Sequence, residues 1–452
     1  MLKYETDSRK VTPGQIFVAI PGYTVDGHDF IDMAIKNGAT SIIVSKDVNY
    51  DIPTIKVEDT AKYLNGILVK EYSSEFKDMK FIGITGTNGK TTTCYLIYQL
   101  LKQFNEKVAY LGTIGFYYDN DFIPLNNTTP DILTLYKLLI NAKEKGCTTV
   151  VMEVSSHALD LKRIAGLNFD IAGFTNITQD HLDYHKTMDE YLKAKLKIVD
   201  YLKNNGTLIV NNDDEKAKEF KNNFTNNFTI GLKNSDLEIK DYTFAPDHTN
   251  INFTYQNKEY SVTTNLTSIF NIYNYLFALA TLKTFGFEIE DIIKKTSTIA
   301  APKGRCETYK VKNGYAVIDY AHTPDAVEKV ITAYNTLKKN RIITIIGCGG
   351  DRDATKRPIM GSIATEKSDY VIFTNDNPRT ENPENIMNDI ITGVNKTNYE
   401  IIYDRKEAIK KAVEEMQDED IILILGKGHE DYQIIGKEKF HLDDSEEVKK
   451  YI

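Results

Sequence analysis

The run KFIGITGTNGKTTT, residues 80–93, decides how the chain is read. Phe81, Ile82, Gly83 and Ile84 form a strand-type run that passes directly into Thr85-Gly86-Thr87-Asn88-Gly89-Lys90-Thr91, and residues 92–103 are helix-compatible. Strand, glycine loop and helix, in that order, are the context of a phosphate-binding loop. Gly86 and Gly89 let successive N–H groups face an anion, and the helix N-terminus adds the positive end of its dipole. Lys90 then reaches the terminal phosphates, and the Thr91 hydroxyl serves a magnesium ion. The strict pattern GxxxxGK[ST] needs glycine where Ile84 stands, so the loop is a variant. The alternative is an ordinary glycine-containing strand–helix turn.

At 452 residues the chain exceeds one core, and three domains are expected. Hydrophobic content of 41% and charged content of 26% are those of a globular protein. The net charge of −9 argues against nonspecific nucleic-acid binding, so an anionic substrate needs local cations. Cys94, Cys147, Cys306 and Cys348 are scattered, with no CxxC pair, and read as reduced thiols of a cytoplasmic protein. The start, Met1-Leu2-Lys3-Tyr4-Glu5, has no apolar signal region, and no long uncharged apolar run follows. No membrane partner is expected.

Residues 1–79 alternate strand patterns at 15–20, 40–44 and 54–57 with helical patterns at 30–37 and 60–71, a small α/β unit. In the second segment, 80–301, Asn126-Asn127-Thr128-Thr129-Pro130-Asp131 opens a helix, and a buried-type strand over 148–154 carries Glu153 near its carboxyl end. An acid there, beside a phosphate loop, stands where an α/β sheet presents a metal ligand. A strand over 169–175 leads to Asn176-Ile177-Thr178-Gln179-Asp180-His181, and a charged helix is expected over 188–201. Asn271 and Asn274 open an apolar helix over 270–285, where propensity alone does not favour asparagine. Residues 203–264 are strand-like and carry no evident chemistry. Beyond a hinge at Pro302-Lys303-Gly304-Arg305, residues 302–452 alternate strands at 315–319, 341–346, 370–374 and 420–425 with helices at 323–338, 382–394 and 405–415. That alternation predicts a Rossmann-like parallel sheet. No GxGxxG follows its first strand, which disfavours a nicotinamide cofactor.

Taken in order, TGTNGKTTT, MEVSSH, FTNITQDHLDYH, GRCE, DYAHTPD, GCGGDRD, DNPR and GKGHEDYQ resemble the Mur ligases of bacterial cell-wall synthesis, over nearly the whole chain. The resemblance implies an α/β fold of three domains: 1–79 for the UDP end of a nucleotide sugar, 80–301 for ATP, and 302–452, Rossmann-like, for an amino acid. It implies an ATP-dependent amide ligase that adds meso-2,6-diaminopimelate to the D-Glu of UDP-N-acetylmuramoyl-L-Ala-D-Glu through an acyl phosphate. ATP and Mg2+ are the implied cofactors, the location is cytoplasmic and the default state is a monomer. Gly86, Thr87, Asn88, Gly89, Lys90, Thr91 and Thr92 would hold phosphates, and Thr91, Glu153, His181 and Lys195 would serve magnesium. Lys195 matches the lysine that the family carries as a carbamate; without the family it reads as a solvated helix lysine. Asn271 resembles the adenine-binding asparagine and Asp319 the ribose residue. Arg305 resembles the arginine that reaches the γ-phosphate, and otherwise reads as a linker arginine. His322 lines the nucleotide site or caps a helix. With Lys90, Lys195 and His181, Arg305 completes the implied catalytic set, which acts on charge moving between oxygens.

Ser8, Tyr23, Thr24 and Val25 match positions at the UDP end, and Asn127, Thr128, Thr129, Ser155 and Arg163 match those at the muramoyl peptide. Leu161 stands where many relatives have a polar glutamine, which puts one contact to the peptidyl substrate in doubt. The run Asp7-Ser8-Arg9 lies close to Met1, so an edge element of the first domain is expected to be absent. For the amino acid, Asp376-Asn377-Pro378-Arg379 and Arg352 supply a planar fork for a distal carboxylate, and Gly426 and Glu430 a place for the distal ammonium. DNPR read alone is also a proline turn with a surface arginine. L-Lysine as the added amino acid, a catalytically degenerate paralogue, folylpolyglutamate synthase and a nucleotide-hydrolysing switch are the competing readings.

Overall fold

The computed structural model describes residues 2–22, 25–119 and 121–452; Tyr23 and Thr24, anticipated as substrate contacts, lie outside them. The chain forms two compact units, residues 1–94 with 101–228 and residues 95–100 with 229–452.

The first unit begins with a parallel sheet of four strands in sequence order, β1 (Tyr4–Glu5), β2 (Ile16–Val18), β3 (Ser41–Val44) and β4 (Thr54–Lys56), with α1 (Ile31–Lys36) and α2 (Thr60–Tyr72). The Asp59 carboxylate accepts the Lys62 N–H and so starts α2, whose Leu64 and Leu68 are one turn apart and buried. The unit's larger sheet contains β5 (Lys80–Thr85), β6 (Val108–Gly112), β7 (Gly115–Tyr118), β8 (Asp121–Ile123), β9 (Thr149–Glu153), β10 (Phe169–Phe174) and β11 (Leu202–Asn211). Their spatial order is β11-β10-β5-β9-β6-β7-β8, parallel except for the β7–β8 edge. Its helices are α3 (Lys90–Gln103), α4 (Ile132–Glu144), α5 (Ser156–Asp160), α6 (Leu182–His185), α7 (Met188–Leu196) and α8 (Ala217–Asn223). Leu64, Leu68 and Phe76 share one core with Phe81, Tyr136 and Leu139, and the Phe76 and Tyr136 rings meet edge-on at 4.9 Å. The helix expected over 188–201 is α-helical only to Leu196 and tightens to a 3-10 turn over Lys197–Tyr201.

Strand β5 lies between β9 and β10, in registers Ile84↔Glu153 and Thr85↔Phe174. The loops that leave these three carboxyl ends therefore begin side by side, as in other parallel sheets that bind ligands there.

The second unit opens with β12 (Asn227–Gly231), β13 (Leu237–Phe244), β14 (Thr249–Tyr255) and β15 (Lys258–Thr264), followed by α9 (Ile269–Phe285) and α10 (Ile289–Thr296). A six-stranded sheet follows: β16 (Glu307–Val311), β17 (Gly314–Asp319), β18 (Ile342–Ile346), β19 (Tyr370–Phe373), β20 (Tyr399–Ile401) and β21 (Ile421–Leu425). Its order is β16-β17-β21-β18-β19-β20, parallel apart from β16. Around it lie α11 (Pro324–Asn335), α12 (Lys356–Lys367), α13 (Pro383–Ile391) and α14 (Arg405–Glu414); the hairpin β22 (Tyr432–Ile435) and β23 (Glu438–His441) and then α15 (Asp444–Lys449) end the unit. No helix among the described residues is long and apolar enough to cross a membrane.

The Arg405 guanidinium donates to both Asp444 oxygens at 2.8 and 2.7 Å and to the Leu425 carbonyl at 3.0 Å. Neither side chain of the pair is exposed. Asp444→Ala leaves a buried cation without its counter-charge and is expected to lower unfolding free energy by about 3–5 kcal/mol. Urea unfolding measures it, and a loss below about 1 kcal/mol, the range of a surface pair, contradicts the expectation.

Candidate active site

In the first unit the site is the phosphate loop and what leans on it. Gly86 has φ +148°, and a Cβ there would lie 1.9 Å from the Thr175 hydroxyl, so only glycine fits. The loop is braced by the β10 exit. The Asn176 side chain accepts the Asn88 N–H at 3.0 Å, and Thr175 Oγ1 donates to the Asn88 carbonyl at 2.7 Å. Thr87 Oγ1 accepts the Thr178 N–H at 3.0 Å and lies 3.1 Å from the Tyr191 hydroxyl.

Two lysines converge on this loop. Lys90 Nζ donates to the carbonyls of Gly86 and Thr87 at 2.8 and 2.7 Å, and Lys195 Nζ donates to Gly86 O at 2.8 Å. Lys195 is 1% exposed, not a solvated helix lysine, and its ammonium sits 4.4 Å above the Tyr191 ring. Burial, with the Lys90 charge adding to it, pushes its pKa well below the ordinary lysine value. Thr92, in the first turn of α3, is buried.

Glu153 ends β9 wholly buried, and four donors point at it: Thr91 Oγ1 at 2.9 Å, Tyr110 OH at 2.6 Å, Thr113 N–H at 2.8 Å and Thr113 Oγ1 at 3.1 Å. Sequence reasoning did not find Tyr110 or Thr113. Thr129 Oγ1 donates to the Glu153 carbonyl at 2.8 Å and accepts the Ser155 N–H at 3.1 Å. Arg163 holds the Thr129 carbonyl at 2.9 Å, and Thr128 Oγ1 is 3.0 Å from Thr113 Oγ1. The expected peptide-binding residues Thr128, Thr129, Ser155 and Arg163 are thus linked to Glu153, while Asn127 is exposed. Leu161 is exposed at the end of α5.

His181 is in the left-handed region at φ 52°, with its ring 4.9 Å from His157. Burial lowers the pKa of His181. That of His157 falls to about 4, through burial first and then the neighbouring imidazoles of His181 and His185. Both rings are therefore neutral at pH 7, the form in which imidazole binds a metal.

Thr91 and Glu153 place hard oxygen donors 2.9 Å apart at the loop's helix end. Among the described residues no three His, Cys, Asp or Glu side chains gather as a metal cage. Few protein ligands, completed by phosphate oxygens, is how Mg2+ is usually held, so the donor set fits that ion. Gly112→Ala tests the cradle, because its Cβ would lie 2.1 Å from Glu153 Oε1 and 2.3 Å from the Tyr110 hydroxyl. A carboxylate displaced by such a clash is expected to lower turnover on the order of 10²-fold, with the melting temperature measured alongside. Unchanged turnover sinks that reading.

Beside the four-stranded sheet, Ser8 is buried with its hydroxyl 3.3 Å from Met33 Sδ, and Val25 is exposed.

The second unit carries two clusters. In the first, the Arg305 guanidinium lies 4.6 Å from the centre of the Tyr320 ring, which also meets His322 at 4.5 Å and His429 at 5.0 Å. Burial first, then the cations of Arg305 and Lys303, lowers the His429 pKa to about 3. Asp319 accepts the Cys306 N–H at 2.8 Å on one oxygen and the Ala321 N–H at 2.8 Å on the other, and burial raises its pKa. His322 is exposed, with Nδ1 2.8 Å from the Tyr320 carbonyl. Asn271 is buried, donating to the Thr267 carbonyl and accepting from Asn274, both at 2.9 Å.

The second cluster joins Asp376, Asn377, Pro378 and Arg379 to residues 426–436. Arg379 adopts φ 52°; its guanidinium donates to the Gly350 carbonyl at 2.7 Å and its backbone bridges to β22. DNPR is thus an anchored segment rather than a loose surface turn. Asn377 Nδ2 donates to Glu430 at 2.8 Å, and the buried Lys427 ammonium to the same carboxylate at 3.1 Å. Gly426, at φ +111°, has room for only a hydrogen beside the Asp376 carboxylate, 2.9 Å from where a Cβ would be. Arg352 is exposed beside Gly349.

Comparison with known proteins gives these clusters a common origin. The family described as Mur ligase family, catalytic domain matches residues 4–77, Mur ligase middle domain matches 84–282, and Mur ligase, glutamate ligase domain matches 304–428. UDP-N-acetylmuramoyl-L-alanyl-D-glutamate–2,6-diaminopimelate ligases from Bacillus cereus and Fusobacterium nucleatum are 42% and 44% identical, each over 99% of this chain and 93% of its own length. A solved structure of a ligase of that name is 32% identical, with TM-score 0.71 over 99% of this chain and 94% of its own. A MurF ligase from Thermotoga maritima in complex with ADP, 21% identical, shares the fold at TM-score 0.71 over 94% of each chain. With matched segments along its whole length and relatives that align over nearly all of it, this chain belongs to the Mur ligase family.

Proposed function

We propose that the chain is an ATP-dependent ligase that joins meso-2,6-diaminopimelate to the D-Glu carboxyl of UDP-N-acetylmuramoyl-L-Ala-D-Glu, forming ADP and phosphate. The observation that carries it is that one DNPR run both bears an anchored guanidinium, Arg379, and holds the carboxylate of Glu430 through Asn377. Such a pair suits the zwitterionic far end of diaminopimelate, and the full-length relatives of that name support it.

A carboxylate does not condense with an amine unaided, so ATP first converts the D-Glu carboxyl to an acyl phosphate. The amine then attacks, and the tetrahedral intermediate expels phosphate. Both steps move negative charge between oxygens, which preorganised cations stabilise. On the first unit, Lys90 and the loop N–H groups of 86–92 bind the phosphates. Thr91, Glu153, His181 and, as its carbamate, Lys195 would hold Mg2+, which when bound neutralises charge on the transferred phosphoryl group. Thr128, Thr129, Ser155 and Arg163 orient the peptide, and Ser8 and Val25 the UDP end. On the second unit, Arg305 contributes a cation, Asn271, Asp319 and His322 address the nucleoside, and Arg352, Arg379, Gly426 and Glu430 address the amino acid. We assign these roles to segments 1–79, 80–301 and 302–452, in a cytoplasmic monomer.

The test is phosphate release by purified protein with ATP, magnesium and UDP-N-acetylmuramoyl-L-Ala-D-Glu, in parallel with diaminopimelate, L-lysine or no amine. Diaminopimelate-dependent release, with an amide product by mass, is expected. Lysine dependence keeps the reaction and overturns the amino acid; no amine dependence overturns both.

A further inference from the structure

We propose that Lys427 and Asn377 are positioning residues that lock the Glu430 carboxylate in place for the distal ammonium of the amino-acid substrate. The inference deepens the proposed ligase reading and rests on it.

Lys427 sits between Gly426 and Gly428, which have φ +111° and +53°, and none of its side chain is exposed. Its ammonium has three acceptors: Asn377 Oδ1 at 3.2 Å, Glu430 Oε2 at 3.1 Å and the Tyr432 carbonyl at 2.5 Å. An ammonium has three protons, so it has none left for a ligand. Asn377 is committed at its carbonyl oxygen and at one of its two Nδ2 hydrogens. Its Oδ1 also accepts the Ile434 N–H at 2.9 Å, and its Nδ2 donates to Glu430 Oε2 at 2.8 Å. Lys427 cannot touch a substrate without breaking bonds it already makes, whereas Asn377 keeps one Nδ2 hydrogen beyond its bond to Glu430.

Both act on one oxygen. Glu430 Oε2 receives Asn377 and Lys427, whereas Oε1 takes no hydrogen bond among the described residues, and the side chain is 16% exposed. The buried ammonium offsets the Glu430 charge when no substrate is present, so the carboxylate is held without being left unpaired. Its rotamer is fixed during folding rather than at binding, which is how preorganisation raises affinity. The same amide ties Glu430 to Arg379, because Asn377 Oδ1 holds Ile434 N–H and the Ile434 carbonyl accepts the Arg379 N–H at 3.0 Å. The carboxylate of Glu430 and the backbone that carries the Arg379 guanidinium are thus tied together through one side chain.

The test is a double-mutant cycle on the full chain, with KM and kcat measured separately for all three substrates. Lys427→Met and Asn377→Ala are each expected to raise KM for diaminopimelate at least about tenfold, while KM for ATP and for the UDP substrate stays within about threefold. In a Glu430→Gln background either change is expected to add less than about twofold, because the carboxylate it serves has gone. Equal factors in both backgrounds mean a merely structural role and overturn the inference alone. Should Lys427→Met fail to fold, Asn377→Ala carries the same cycle. No amine-dependent turnover in the unmodified protein overturns the inference together with the ligase reading.

Discussion

Lys195→Ala is expected to lower amide formation on the order of 10³-fold, with partial recovery in added formate or acetate. The residue is buried against the phosphate loop, 2.8 Å from the Gly86 carbonyl and 4.4 Å from the Tyr191 ring centre, where a bare ammonium has little water to solvate it. Burial and the neighbouring Lys90 favour the neutral amine. A neutral amine adds to CO2, releasing a proton and leaving a carbamate anion, the form the family resemblance implies. That puts an anion able to serve magnesium where a second cation would otherwise stand at the loop. Alanine leaves a cavity that a one- or two-carbon carboxylate can enter, whereas Lys195→Arg fills it with a permanent cation and is expected to be inactive and beyond rescue. Melting temperatures of both variants separate lost chemistry from lost fold. Full activity in Lys195→Ala would falsify the assignment.

The phosphate loop was legible because its chemistry dictates its residues: Gly86 accepts no Cβ, and Lys90 and Thr91 follow at the helix start. Glu153 was legible as an acid ending an apolar strand. What holds Glu153 was not, since Tyr110 reads as one more core residue of β6 and meets the acid only because β6 pairs with β9, Leu111 opposite Met152. Lys427 stood in a quoted motif yet received no role, because lysine is rarely buried and its partner Asn377 is fifty positions away. Helix α12 went unlisted because its buried face, Arg357, Met360, Gly361, Ala364 and Thr365, has too few apolar residues to show a period. The β22–β23 hairpin exposes β23 completely and so lacks the alternation that marks a strand. Strand β1, only two residues long, is visible only through its pairing with β2.

Arg379→Ala is expected to lower kcat/KM for diaminopimelate on the order of 10³-fold and to narrow or reverse the preference over L-lysine. One guanidinium nitrogen of Arg379 holds the Gly350 carbonyl at 2.7 Å; the other two make no hydrogen bond among the described residues and can meet a carboxylate side-on. L-Lysine has no distal carboxylate, so it leaves that fork unpaired and brings its own ammonium toward a cation. Removing the guanidinium removes the reason for rejecting lysine, while Glu430 still attracts its ammonium. The backbone does not confound the result. Arg379 lies at φ 52°, a conformation that costs arginine and alanine alike, so the substitution changes the side chain and leaves the turn's preference nearly as it was. Arg379→Lys keeps a charge without the planar fork and is expected to fall between the two, because a point charge cannot bond both carboxylate oxygens. Should Arg379→Ala keep the discrimination of the unmodified protein in parallel diaminopimelate and lysine assays, the guanidinium does not read the distal carboxylate. The exposed Arg352 would then be the remaining cation for that role.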